Sequence, residues 1–144
     1  MKKIYLAGVT IAATLFLYSC GSNESKPAGT AATTETKTTA VNGETVYLKT
    51  CVACHQADGG GISGSFPPLA KSDYLADKER AILQVIKGKS GEMVVNGTTY
   101  NGAMPPQPLN DEEVAAVLTY VYSSFGNTGT PVTVAEVKAV REKN

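Results

Sequence analysis

Five consecutive residues, Cys51-Val52-Ala53-Cys54-His55, constrain this chain more than any other feature of its sequence. Two thiols separated by two residues, with an imidazole directly after them, form the pattern of a c-type haem attachment site. In a helical segment this spacing is close to the distance between the two vinyl groups of haem, so each thiol can add to one vinyl. The sequence therefore predicts one covalent haem c, held by Cys51 and Cys54, with His55 on the iron.

Two other chemistries use closely spaced cysteines. A structural zinc site takes four ligands as a rule, whereas this segment offers three, and the whole chain contains only three Cys and one His. A thioredoxin-like redox pair lies near a βαβ pattern, which the sequence lacks. Haem is the interpretation that the spacing favours.

The second axial ligand of the iron has to be a residue other than histidine, because His55 is the only one. Two methionines are candidates, since Met1 belongs to a predicted signal. Met93 lies beside a predicted hairpin, where a half-buried strand side chain is the ordinary interpretation. Met104 lies in the loop 101–106, whose prolines restrict the backbone and can hold a thioether over a metal. Methionine often fills gaps in a core, but this loop favours Met104 as the distal ligand.

The amino terminus is predicted to lie outside the fold. Two lysines precede the apolar stretch 4–17, which has the build of a secretory signal and is short for a membrane span. Leu17-Tyr18-Ser19-Cys20 resembles the lipobox of bacterial lipoproteins, in which the signal is cut before a cysteine whose sulfur then carries a diacylglycerol. This resemblance implies a signal peptide over 1–19, a lipid on Cys20 and export to the periplasmic side of a bacterial membrane. A cleaved signal that happens to contain a cysteine is the alternative.

Composition separates a tether from a folded part. Residues 21–40 are mostly Thr, Ala, Ser and Lys, which bury too little apolar surface to offset the entropy of ordering, so 20–40 is predicted to be the lipidated Cys and a flexible tether. The whole chain is 42% hydrophobic, as in globular proteins. Its 13 basic residues are balanced by 13 acidic ones and form no basic block, so nucleic acid is not an expected partner.

The remaining chain is predicted to be mainly helical, with a domain over 41–126 and a C-terminal extension over 127–144 that carries a short helix. Apolar periodicity, capping residues and glycine stops place the helices. An Asn-Gly pair between β-branched residues predicts a hairpin. The predicted elements are helices over 43–54, 77–87 and 110–125, a helical turn over 73–75, a hairpin at Asn96-Gly97 and a last helix that begins at Thr133.

These features together resemble the monohaem class I cytochromes c over about residues 41–125. Gly43 and Tyr47 precede Cys51 by eight and four residues, as the small and aromatic residues of that family's first helix do. Val117, Tyr120 and Val121 look like the partners on the last helix, where a glycine lets two helix backbones cross closely. The resemblance implies an all-α fold of helices around one covalent haem, with a small β-hairpin inserted before the distal Met loop.

The resemblance also assigns roles near the iron. Pro67-Pro68-Leu69 is similar to the family's Pro-x-Leu loop, which implies that the Pro67 carbonyl accepts a hydrogen bond from Nδ1 of His55 and raises its basicity. Met104 falls where the family's distal Met does. A closer likeness is to the cytochrome c modules attached to copper nitrite reductases and to related bacterial haem-protein subunits. Phe66-Pro67-Pro68-Leu69-Ala70 and Val95-Asn96-Gly97 resemble those modules, although no copper enzyme domain follows here.

The function that this likeness implies is electron transfer, not catalysis. A thioether paired with imidazole favours ferrous haem and raises the reduction potential, and six-coordinate iron leaves no position for a substrate. The expected role is a membrane-tethered shuttle between respiratory redox proteins such as a terminal oxidase, a nitrite reductase or a quinol-oxidising complex. The alternative is a haem enzyme or gas sensor in which a small ligand displaces Met104.

Overall fold

The computed structural model describes residues 40–144, which contain five α-helices and one small antiparallel hairpin. The predicted signal peptide, Cys20 and all but the last residue of the predicted tether lie outside the described residues. A short 3-10 helix, Asp73–Ala76, precedes the third α-helix. The mainly helical class with one small hairpin is confirmed. In chain order the elements are α1 (Gly43–Thr50), α2 (Val52–His55), α3 (Lys78–Lys87), β1 (Met93–Val95), β2 (Thr98–Tyr100), α4 (Asp111–Ser124) and α5 (Val134–Lys143).

Side-chain caps fix where the two C-terminal helices begin. Asn110 accepts a hydrogen bond from the Glu113 N–H, and the Glu113 carboxylate accepts one from the Asn110 N–H. Thr133 and Glu136 make the same reciprocal pair at the start of α5. Each pair satisfies donors that have no partner inside the helix. Both helix starts that the sequence predicts are therefore confirmed.

The predicted helix over 43–54 is not continuous. It is interrupted at Cys51, whose φ of −114° differs from ideal helical values, so that α1 ends at Thr50 and α2 begins at Val52. The Thr50 hydroxyl donates to the Val46 carbonyl at 2.8 Å. A hydroxyl bonded to the carbonyl four residues back competes with the helix ladder and bends it. The first cysteine of the motif thus sits at a bend between two helical segments.

The hairpin is anchored to the 3-10 helix through its turn. Asn96 and Gly97 both have positive φ, 49° and 76°, the combination that a two-residue type I′ turn requires. The Asn96 side-chain oxygen accepts from the Asp73 N–H at 3.0 Å, and the Asp73 carboxylate accepts from the Asn96 N–H at 2.8 Å. This reciprocal pair holds the hairpin, and with it Met93, at a fixed place beside residues 73–76.

The first and fourth helices cross with their backbones in close contact. A Cβ at Gly43 would overlap the Ala116 carbonyl of α4, so only glycine permits this approach. Tyr47, Tyr120 and Phe125 pack around the crossing, with ring centroids 5.1 to 5.5 Å apart. The predicted glycine-mediated crossing of α1 and α4 is confirmed.

The last helix completes the same core. Val132, Val137 and Val140 are buried among residues of α3 and α4. Lys78 and Glu136 form an ion pair at 3.0 Å that joins α3 to α5. Within residues 40–144, no helix has the length and apolar character needed to span a bilayer.

Candidate functional site

The single histidine is buried and fixed in orientation. His55 ends the short helix α2 and is 8% exposed. Its Nδ1 lies 3.0 Å from the Pro67 carbonyl oxygen, so the ring donates from this nitrogen. Because Nδ1 is engaged, Nε2 is the nitrogen left to bind a metal.

The environment of His55 keeps its imidazole neutral. Burial lowers the pKa of His55, and the hydrogen bond to the Pro67 carbonyl opposes that effect. The neutral ring is the form that ligates metals. The site therefore presents a metal-binding nitrogen without first losing a proton at neutral pH.

Two sets of hydrogen bonds hold the backbone that directly follows His55. The Tyr47 hydroxyl, on a fully buried ring, donates to the Gln56 carbonyl at 2.6 Å. The N–H groups of Leu69 and Ala70 both donate to the Gly59 carbonyl, at 2.7 and 2.9 Å. The loop that carries Pro67 is thus closed onto the segment directly after the motif.

The motif cysteines Cys51 and Cys54 are both partly exposed. Sγ of Cys51 lies 3.3 Å from the Thr50 hydroxyl, and burial raises the pKa of this thiol. Cys51 and Cys54 are not joined to each other by a disulfide. Both sulfurs are therefore available for covalent attachment.

The loop with Met104 is fixed to the end of α3. A Cβ at Gly88, the C-terminal cap of α3, would overlap the Met104 carbonyl, and the φ of Gly88 is 76°. The Gln107 N–H donates to the Val85 carbonyl at 2.9 Å. Met104 itself is half-buried and packs against the core. The thioether consequently stands on a restrained backbone.

The predicted site residues meet around two cavities of about 630 and 850 Å³, volumes that include space open to solvent. Cys54 lines the larger cavity only. The residues that line both are Cys51, His55, Pro67, Gln84, Met93 and Met104.

These residues fit a haem. Apolar side chains of the 3-10 helix, α3, the hairpin and α4 form much of the wall, as a macrocycle requires. They include Leu75, Val85, Val95, Leu118 and Val121. One imidazole and two thioethers supply the soft and borderline donors that suit iron. Because Met93 and Met104 both line the cavities, the geometry alone does not choose between them.

One lining residue was not foreseen from the sequence. Gln84 borders both cavities, and its Nε2 lies 4.0 Å from the Met104 sulfur. Its place in α3, three residues after the buried Ala81 and one before Val85, puts it on the buried face. A polar residue within an apolar helical stripe is the signal that could have found it.

Comparison with known proteins bears on the same stretch of chain. The family model for cytochrome c matches residues 40–124, more than half of the sequence. A cytochrome c-552 of Thermus thermophilus is 39% identical over 113 residues, which cover 71% of this chain and 86% of that protein. Cytochrome c-551 of Bacillus subtilis is 32% identical over 117 residues, 81% of this chain and 91% of that one.

A third relative is a subunit of a larger assembly. The cytochrome c subunit of a quinone-linked alcohol dehydrogenase from Gluconacetobacter polyoxogenes is 30% identical over 110 residues, 73% of this chain but 23% of that subunit. The chain therefore belongs to the cytochrome c family. It is a monohaem class I member with one covalently bound haem c, and its function is electron transfer.

Proposed function

We propose that this protein is a membrane-tethered, one-electron shuttle whose iron is held by His55 and Met104, with Cys51 and Cys54 bonded to the haem vinyls. Bound haem c supplies an iron that alternates between ferrous and ferric states. The observation that carries the proposal is that a single cavity is lined by Cys51 and His55 of the motif, by Pro67 and by Met104.

Met104 is the preferred distal ligand because its backbone is restrained. Lys89 bonds to it in both directions, and Gly88 approaches it closely. A restrained loop can keep the thioether on iron in both oxidation states, so that little has to move when an electron arrives or leaves. Met93 also has a paired backbone, opposite Tyr100. The preference for Met104 over Met93 therefore also relies on the resemblance of the Met104 loop to the distal Met loop of the family.

This ligand set supports transfer instead of catalysis. His55 and Met104 together fill both axial positions, which leaves no position for a substrate. His55, the only histidine of the chain, then has no role as an acid or base. We therefore infer that the protein is not itself an enzyme.

The proposed location and partners follow from the amino terminus and from the relatives. The lipobox-like sequence at Cys20 supports export and a lipid anchor on the periplasmic side of a bacterial membrane. Relatives that are cytochrome subunits of dehydrogenases support redox proteins as partners in general. A terminal oxidase, a nitrite reductase or a quinol-oxidising complex are the proposed kinds.

Spectroelectrochemical titration of the purified, exported protein tests the assignment. We expect one reversible single-electron couple and a low-spin ferric spectrum that includes the weak long-wavelength band of methionine-bound haem. A high-spin ferric spectrum without that band would contradict the His/Met ligand set and favour an enzyme or gas sensor.

A further inference from the structure

Asn127 joins two separate parts of the main chain through three hydrogen bonds of one side chain. It lies in the segment that links α4 to α5, just beyond the residues that the family model matches. Its Nδ2 donates to the carbonyls of Leu69 and Val121, both at 2.9 Å. Its Oδ1 accepts from the Ser72 N–H at 3.1 Å. The amide therefore uses both of its ends as a cross-link between the end of α4 and the loop 67–72.

The loop that Asn127 grips is the one that orients His55. Leu69 lies two residues after Pro67, whose carbonyl is the 3.0 Å partner of Nδ1 of His55. The same loop is bound on its other side by the Gly59 carbonyl. Lys71 adds a backbone bond to the Phe125 carbonyl at 3.1 Å. The bonds from Gly59 and Phe125 are made by the backbone, whereas those from Asn127 are made by its side chain. A substitution of Asn127 can therefore remove its bonds without changing the motif.

We propose that Asn127 is a positioning residue for the axial histidine and acts through the Pro67 carbonyl. This inference rests on the proposed function, because it requires His55 to ligate the iron. A hydrogen bond to the second nitrogen of a ligating histidine fixes the ring and raises its basicity. A firmly held Pro67 carbonyl thus keeps the imidazole electron-rich, which favours the ferric state.

Loss of Asn127 has a directional consequence. The Leu69 carbonyl and the Ser72 N–H lose their side-chain partner, and Ser72 is only 8% exposed. The loop then fluctuates, and the bond from Nδ1 of His55 to the Pro67 carbonyl is weaker on average. The imidazole becomes less electron-donating, so the reduction potential rises, and its ring N–H exchanges faster with solvent.

Asn127→Ala in the full-length holoprotein tests the proposal, with Asn144→Ala as the matched control. Asn144 also donates from a side-chain amide to a carbonyl, at 2.9 Å, but its acceptor is Val140 within α5. Two readouts are measured in each protein: the midpoint potential and the exchange rate of the His55 ring N–H by NMR. Asn127→Ser, whose smaller hydroxyl admits water to the three orphaned groups, serves if the alanine variant does not fold.

We expect the potential to shift upward in the Asn127 variants, and the ring N–H to exchange roughly tenfold faster, a factor equivalent to about 1.4 kcal/mol. Asn144→Ala should leave both unchanged. If the Asn127 variants lose stability while potential and exchange stay at wild-type values, Asn127 is structural only and the proposal is wrong. If the wild-type protein itself shows no reversible couple, the proposed function fails first and this inference fails with it.

Discussion

The main chains of Met104 and Lys89 pair through two hydrogen bonds, one in each direction, of 2.7 and 2.9 Å. Lys89 follows the C-terminal cap of α3, so the pairing ties the Met104 loop to a helix whose inner face lines the cavities. These two hydrogen bonds hold the loop through main-chain atoms, which a change of the Met104 side chain does not remove. Substitution of that side chain should therefore change the donor set while leaving the loop in place.

Met104→Ala should lower the reduction potential, with Met93→Ala as the matched control. Loss of a thioether ligand destabilises the ferrous state and opens one axial position. We expect a decrease on the order of 100 mV, within the roughly 0.8 V that axial ligands span, together with binding of added imidazole or cyanide. Potentiometry and ligand titration measure both effects. The assignment is wrong if Met93→Ala produces this pattern and Met104→Ala does not.

Cys51→Ala and Cys54→Ala should each leave haem attached through a single bond, and the double variant should lose it on denaturation. The measurement is haem-dependent peroxidase staining of a denaturing gel, with optical spectra of the native proteins beside it. Because Cys51 lies at the bend between α1 and α2 and lines both cavities, its loss should also disturb the spectrum more. Full retention of haem by the double variant would overturn the covalent attachment.

Tyr47→Phe should destabilise the fold by about 1 kcal/mol, because it removes the 2.6 Å donor to the Gln56 carbonyl, which keeps only the Gly59 N–H at 3.2 Å. Tyr120→Phe is the control, since its ring belongs to the same aromatic cluster but its hydroxyl has no hydrogen bond within residues 40–144. Guanidinium unfolding of the two holoproteins compares the free energies of unfolding. Equal losses in both variants would show that the hydroxyl of Tyr47 contributes nothing specific.

The attachment of α5 should weaken in acid through Glu136. The Thr133 N–H first, then Lys78 and the Thr133 hydroxyl, lower the pKa of this carboxyl from 4.5 to about 2. A carboxyl whose pKa is lower in the folded state stabilises the fold above pH 4.5, and that stabilisation is lost as the pH falls towards about 2. Glu136→Gln should therefore be less stable than wild type at neutral pH, and the difference should shrink over this range.

Unfolding curves at a series of pH values measure the effect of Glu136. Glu142→Gln, which replaces an exposed glutamate on the same helix, is the control. The side chain of Glu136 is 41% exposed, so added salt should reduce the effect. A difference that stays constant from neutral to acidic pH would exclude the proposed ion pair and cap as its cause.

Cys20→Ala should release the protein from membranes without altering its spectrum or potential. The lipid proposed on this residue is the anchor, while the haem site is built from residues 51–104. Fractionation of cells that export the protein, followed by haem staining, locates it. Cys20→Ala protein that remains membrane-bound after a salt wash would argue for another means of attachment.

Sequence reasoning succeeded where an element is determined by neighbours along the chain. Asn96-Gly97 specified the hairpin because both turn residues have to adopt positive φ. The pairs Asn110–Glu113 and Thr133–Glu136 specified two helix starts because their partners lie three residues apart. In such cases the interactions that form the element lie within a few residues of one another, so the residue types are enough to predict it.

Sequence reasoning failed where a contact depends on a residue far away in the chain, or where one hydrogen bond determines the local backbone conformation. Two of the three hydrogen bonds of Asn127 reach back 55 and 58 residues, and no local sequence pattern indicates them. The bend at Cys51 depends on how one Thr50 hydroxyl is oriented, which helix propensity does not describe. Sequence patterns placed Met93 in a strand and Met104 in a loop. They could not predict that both methionines line the same cavities.

The crossing of α1 and α4 at Gly43 has a mechanical consequence. The described chain enters the fold at Asn42, which caps α1. At Gly43, the next residue, the Ala116 carbonyl leaves no room for a larger side chain. A pull applied to the preceding segment would load the close contact between α1 and α4 first. Force along the tether would therefore be borne by a backbone-to-backbone junction before it reached the loops that carry Pro67 and Met104.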